Sequence, residues 1–429
     1  MLLTKRLAAN RLTRRGAVVV LVAISLAVVL AFVAIAIDGG GLLEERRQAQ
    51  AISDAAAIAA AEDLFRNYPQ NKGIDVEETA EERARAIAAQ NGYSGDGVQS
   101  IVTVRTSPEA YTGGPHQGQA IPRGYAEVSV QFNQPRYFSA IFGDGAIPVP
   151  ARAVARGSWA PSYVGIHVLD LHAPGALTGT GEALVTVNGA KVIVNSDASD
   201  AATTNGMVMT ADDFKITGGT SVVGGKGAFI GDIEYDTPPE PDPLRFIPEP
   251  DPNGMPVQDS NGLHLSNGTR GIQPGVYRGG ITVSGQGNLN MAPGIYYMDG
   301  GGFSFTGQGS LLAQGVMIFN APTKSSDVVD ISGTGSIIMS PPQDGIYKGL
   351  TLFQDRESTN TMSVSGGGYM DITGTFYCAN GTLKVSGGGD SHVGSQYISR
   401  YLNIVGNGGL RIDYDPTQAI PRRILQLIE

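Results

Sequence analysis

GGITVSGQGNLNMAPGIYYMDGGGFSFTGQGSLLA, residues 279–313, says the same thing twice: GGITVSGQG and GGFSFTGQG begin 22 positions apart. Each phrase is a short apolar strand, a corner of glycine and small polar residues, then a second short strand. A unit of this size cannot bury its apolar edge alone, and stacking on neighbours supplies the cover. Related phrases follow and precede it: LTGTGEALVTVNG (177–189), ITGGTSVVGG (216–225), ISGTGSIIM (331–339), VSGGGYMDITG (364–374), VSGGGDSHVGS (385–395) and IVGNGGLRI (404–412). From Val283 through Phe305, Ile331, Val364, Val385 and Ile404 the steps are 22, 26, 33, 21 and 19. Such steps suit the coils of a parallel β-helix with insertions at one corner, whereas propeller blades repeat at about 40 residues or more. Pro-Gly at 274–275 and 293–294 turns the chain into the strands of Tyr277 and Tyr296, and Gly285 and Gly307 read as corner glycines. The fold class is mainly β, with the parallel β-helix over 158–415.

Two segments depart from the repeat. DTPPEPDPLRFIPEPDPNGMP (236–256) holds eight prolines and five acids, which forbids regular strand or helix and predicts an extended, solvent-facing excursion, either a long corner loop or a docking strip. Residues 416–429 end in PRRILQLIE, whose apolar stripe suits a cap on the last coil or a tail.

Upstream the period changes. EETAEERARAIAAQ predicts a helix from Val76 to Gln90 that ends at Asn91-Gly92, and alternation predicts strands over 100–106, 124–133 and 147–157. Together with the helical run around Leu42–Ala60 these make a small α+β domain within 38–157. Alanines at 55–57 and 59–61 leave a smooth helix face, suited either to a partner helix or to this chain's own next segment.

Ala17 to Ile37 contain no charge and one hydroxyl, Ser25. A transmembrane helix needs about 20 such residues. Span and stalk read as one helix, loosened at Gly39–Gly41. Lys5, Arg6, Arg11, Arg14 and Arg15 precede the span with no acid among them, which assigns 1–16 to the cytoplasm and exports residues 38 onward. The length of the apolar run and the lack of a small-x-small site after Ile37 favour a retained anchor over a cleavable signal peptide. Pilin-type processing beside Gly16 is disfavoured by Leu21, which stands where a pilin-like helix carries glutamate.

Composition narrows the function classes. The 30 basic and 40 acidic residues give a net charge of -10, with the main basic cluster in the N-terminal tail, so no nucleic-acid surface is expected. One cysteine, Cys378, excludes an intramolecular disulfide and reads as a buried strand thiol.

Arg14-Arg15-Gly16, the Ala/Val/Leu span, Asp38 at its outer end, then ERRQAQAISDAAAIAAA with Asp54, Ala56 and Ala60 resemble the N-terminal segment of TadE/TadG-like proteins of the tight-adherence (Flp) pilus assembly system. YFSAIFGDGAIPVPARAVARG (137–157) is similar to the close of the small domain that follows this helix in the family, and the glycine-rich repeats resemble the C-terminal regions of some TadG-like exported proteins. The resemblance implies a single-pass inner-membrane protein with a cytoplasmic N-terminus and its main body periplasmic or extracellular. Its partners would be the lipid bilayer and other pilus-assembly or envelope proteins. The expected role is structural and non-enzymatic, without cofactor or metal; a polysaccharide-binding or polysaccharide-cleaving β-helix is the alternative.

Three polar groups bear on that alternative. Asp355, Arg356 and Glu357 end an apolar strand, where β-helix lyases and glycosidases carry carboxylates and a basic residue; with no second acidic cluster at repeat spacing, a turn salt bridge is favoured. His167, Asp170 and His172 cannot all share one strand face, so they do not read as a ligand set. Many TadG relatives carry a von Willebrand A domain, and Asp197-Ala198-Ser199-Asp200-Ala201 approaches its Asp-x-Ser-x-Ser metal loop, but Ala201 replaces the last serine.

Overall fold

The structure, a computed structural model, describes residues 15–365, 367–386 and 391–429. They form two units, one running to Ser158 and including Ile424–Glu429, the other Trp159–Arg423.

In the first unit α1 (Arg15–Arg66) is a single helix of 52 residues, about 78 Å long at 1.5 Å per residue. As the sequence suggests, span and stalk are one helix, and it runs through Gly39–Gly41 without interruption. Beyond the glycines its buried stripe is Ala49, Ile52, Ala56, Ala57, Ala60, Ala61 and Leu64. Two further helices follow, α2 (Tyr68–Asn71) and α3 (Thr79–Gln90). Helix α3 starts three residues later than the sequence suggests, because the Asp75 carboxylate accepts the amides of Ala80 and Glu81 and Glu78 takes a left-handed conformation. It presents Ala80, Ala84 and Ala88 to α1. Strands β1 (Ser100–Thr106), β2 (Tyr125–Gln134) and β3 (Ile147–Ala160) pair antiparallel and bury Val102, Val104, Val128 and Val130 against the alanine stripe. Each fully buried Val or Leu contributes about 1.5–3 kcal/mol.

The C-terminal segment does not cap a coil. Strand Arg422–Leu427 lies beside β3 and completes a four-stranded sheet. The amide of Val154 donates to the Glu429 carbonyl at 2.9 Å, and the Glu429 carboxylate pairs with Arg152, which also pairs with buried Glu127. An edge strand carries a row of unpaired N–H and C=O groups, and the C-terminal strand satisfies part of that row on β3.

The second unit is a parallel β-solenoid of about 11 turns. A coil contributes three short strands, as in Gly275–Arg278, Ile281–Val283 and Asn288–Met291, and each pairs in parallel with its counterpart in the next coil. Inward positions form apolar ladders: Ile281, Phe303, Val329, Met362, Leu383, Leu402 and Leu177 stand in one row. The two corner glycines differ. A Cβ would lie 2.5 Å from the Ser266 carbonyl oxygen at Gly285 and 2.7 Å from the Gly285 carbonyl oxygen at Gly307, so close backbone approach excludes a side chain at both, and Gly285 alone of the two also has a positive φ, +55°.

The coils do not stack in chain order. The first coil, Val164–Val168, Leu177–Thr180 and Leu184–Asn188, pairs with the last, Gln396–Val405 and Gly409–Asp413. Coils therefore run from residue 257 up to 413, continue with 164–188, and end at Ala228–Glu234. Between Glu234 and Val257 the chain must travel the height of the stack. At ~3.1 Å per residue in a polyproline conformation the segment 236–256 reaches about 60 Å, and about 11 turns at ~4.8 Å spacing stand about 50 Å high.

That segment is a strap along one face of the solenoid. In order down the stack, Asn195 exchanges hydrogen bonds with the Glu240 backbone (2.7 and 2.9 Å), the Tyr377 hydroxyl donates to Asp242 (2.6 Å), Arg356 donates to the Leu244 and Ile247 carbonyls (2.9 and 2.6 Å), and the Val276 amide donates to the Pro256 carbonyl (2.9 Å). Leu244 and Ile247 are buried with Met317, Phe319, Phe353, Tyr377 and Ile398. The expectation of a solvent-facing excursion is thus corrected: proline keeps the segment from pairing as a strand, and apolar side chains hold it down. Strands under the strap, such as Val164–Val168 and Leu350–Gln354, are buried on both sides.

Candidate functional site

Two places gather the residues singled out by the sequence: the helix where it leaves the apolar span, and the buckle of the strap.

From Val18 the helix is apolar and its side chains have no protein cover; it is long and apolar enough to cross a membrane. Arg14 lies outside the described residues; Arg15 and Gly16 open the helix. Asp38 follows the last apolar residue and accepts hydrogen bonds from the amides of Phe138 (3.3 Å) and Ser139 (2.6 Å), tying the helix to the loop before β3. Asp54 accepts from the Gln50 amide (2.7 Å), which also donates to the Arg152 carbonyl (2.9 Å) on β3. Ala56 and Ala60 are fully buried against this chain's own helix and sheet. Of the two uses that the alanine face admitted, the structure shows internal packing.

Asp355, Arg356 and Glu357 are brought to a corner where they part ways. Asp355 accepts the Glu357 amide (2.8 Å) and closes the turn. Arg356 turns away from both: beyond the two strap carbonyls, its Nε donates to the Tyr377 hydroxyl (3.0 Å), its own amide donates to Glu249 (3.0 Å), and its guanidinium lies over Phe353 and Tyr377. Its ion-pair partner is Glu249 of the strap. The salt bridge within the turn that the sequence suggested is replaced by one between segments more than 100 residues apart.

His167 faces the strap, buried, and burial pushes its imidazole pKa down, which favours the neutral ring. Asp170 and His172 stand on the following corner. The Asp170 carboxyl, although partly desolvated, is held down at about 2 by the Arg400 guanidinium (2.8 Å) and by the amides of His172 and Ala173. His172 pairs with Asp197 through Nδ1 at 3.0 Å. The three thus serve three separate contacts. Among the described residues no group of three or more His, Cys, Asp or Glu is placed to hold a metal ion. Cys378 is buried beside Gln354, and burial pushes its thiol up to about 12.

These features define a helix long and apolar enough to cross a membrane that runs on into a small α+β domain, followed by a strapped β-solenoid. Residues 16–63 match the family described as "Tad: Putative Flp pilus-assembly TadE/G-like". That match covers the span and the helix that packs the small domain. No curated protein matches the chain. Among solved structures the chain is similar to the competence-associated pilin ComZ from Thermus thermophilus, at 10% identity, 90% coverage of this chain, 96% of that chain and a TM-score of 0.28.

Proposed function

We propose that the chain is a non-enzymatic structural component or anchor of a tight-adherence (Flp-type) pilus or a related surface apparatus. Its N-terminal tail is cytoplasmic, and the small domain and solenoid are held on the outer side of the inner membrane. The observation that carries the reading is α1: one unbroken helix takes a TadE/G-like sequence from the apolar span into the core of the small domain. Force or position applied to the solenoid's unit is thereby linked covalently to the bilayer. The buckle supports a scaffold role as well, since Arg356 is occupied by the strap and by Tyr377.

The test deletes the gene and images surface pili. Loss of pili, restored by the full chain and not by a chain in which residues 17–37 are exchanged for a cleavable signal, is the expected result. Intact pili in the deletion strain, together with glycan cleavage by the purified chain that disappears in Asp355→Asn, would replace the scaffold with the polysaccharide enzyme. Protease added to the outer side of inner-membrane vesicles of known orientation should remove residues 38–429 and spare the tail.

A further inference from the structure

Beside the end of the span the small domain shows two aromatic side chains to its surroundings. Tyr137 and Phe138 are 65% and 51% exposed, and among the described side chains of this unit they are the exposed aromatics outside α1. Another exposed apolar side chain of the small domain, Val76, lies in the loop before Thr79, whose hydroxyl donates to Asp63, 25 residues or about 38 Å further along α1 than Asp38, as isolated surface apolar residues commonly do. The aromatic pair is fixed at one level. Asp38, one residue or ~1.5 Å past Ile37 along the helix, accepts the backbone amides of Phe138 and Ser139. Gln134, Pro135 and Tyr137 line a small hollow with Ile37 and Leu42, so the loop lies against the helix where its apolar surface stops. Arg136 precedes the aromatics and is held by a hydrogen bond from its Nε to the Gly145 carbonyl (3.0 Å).

We infer that the segment Gln134–Ser139 is an interfacial belt, seated in the headgroup layer of the bilayer that α1 crosses, with Tyr137 and Phe138 at the boundary of headgroups and acyl chains and Arg136 beside lipid phosphate. Aromatic rings have an apolar body and tolerate a wet edge, which places them at this depth, and a long basic side chain reaches the phosphates. Continuity selects the occupant: the exposed apolar surface of the span ends at Ile37, and the two rings begin where it ends. A helix alone leaves the domain free to swing about its axis, and a second contact one loop away fixes its rotation and tilt. The inference rests on reading α1 as membrane-spanning.

The test keeps the full chain, reconstituted in vesicles of phosphatidylethanolamine and phosphatidylglycerol. Single cysteines are introduced as Phe138→Cys, Leu26→Cys in mid-span and Val76→Cys in the exposed loop at the far end of the small domain, each spin-labelled; Cys378 is fully buried, and the chain without added cysteine is the control for its labelling. Accessibility to oxygen, which enriches in lipid, is compared with accessibility to a water-soluble nickel chelate. The expected result is an oxygen-to-nickel ratio at 138 between those at 26 and 76 and several-fold above that at 76, with Tyr137→Cys giving the same ranking. A deep label at 26 with labels at 137 and 138 as wet as at 76 would overturn the belt and leave the span standing. A wet label at 26 would overturn both.

Discussion

Arg356 sets one guanidinium against two strap carbonyls, a tyrosine hydroxyl and a glutamate, while Asp355 beside it does no more than close a turn. Lysine at 356 keeps the charge and loses the planar fork that reaches several acceptors at once. Arg356→Lys should therefore cost about 2–3 kcal/mol, since buried acceptors lose their donors, and should speed proteolysis within 236–256. Asp355→Asn should stay below about 1 kcal/mol. Denaturant unfolding of the full chain and mapping of the first cuts check both, and equal effects of the two changes would contradict the buckle. The triplet was visible in the sequence as a group ending a strand. The purpose of its middle member was not, because local alternation along a strand says where a side chain points and nothing about a partner 107 residues away.

Helix α1 and strand β3 touch at a point that tolerates no side chain. A Cβ on Gly157 would lie 1.7 Å from the Ala61 carbonyl oxygen, so helix and strand must separate to admit one. Gly157→Ala should destabilise the small domain by about 1–3 kcal/mol, the usual cost of overpacking, and Ala56→Glu should do more by placing a carboxylate in an apolar seam. Gly39→Ala is the counter-case. Nothing lies within 4 Å of its added Cβ, and alanine favours helix over glycine, so this change should be neutral or stabilise by up to ~1 kcal/mol. Thermal unfolding followed by circular dichroism ranks the three. Helix and strand positions in this domain were legible because each has a clean period: 3.6 for the alanine stripe, two for SIVTVRT and its partners. The C-terminal strand misled because an apolar stripe of that length fits a coil cap and a sheet edge equally well. Only the free edge of β3 decides between them.

At the scale of the solenoid the repeat gave the coils but not their order. Every coil offers parallel strands with the same apolar rows on both edges, so chain-order stacking and the observed order, with 164–188 on 396–413, look alike in the sequence. The strap makes the difference possible, since a proline-rich chain long enough to span the stack returns it to the far end. The join between first and last coils carries the same backbone pairing as any other, and cutting the strap at a protease site inserted between Pro238 and Pro239 should leave the two parts together at neutral pH through size-exclusion chromatography. Their separation would contradict the stacking order. One ion pair makes the join sensitive to acid: Asp170 on the first coil accepts from Arg400 on the last. Its carboxyl is held at about 2 in the folded chain, below the usual value near ~3.9. A depressed carboxyl stabilises fully above its unfolded value and loses that contribution as pH falls towards the folded one; the amides of His172 and Ala173 carry part of it, so the join itself should weaken between about pH 4 and pH 2 by about 1 kcal/mol. Other carboxylates also respond to acid, and Arg400→Gln separates them. Its deficit in denaturant midpoint relative to the unaltered chain should be full at pH 7 and shrink as pH drops through this window, because protonated Asp170 no longer distinguishes arginine from glutamine by charge; a deficit that stays constant with pH would remove Asp170 and Arg400 as the acid-sensitive contact of the join.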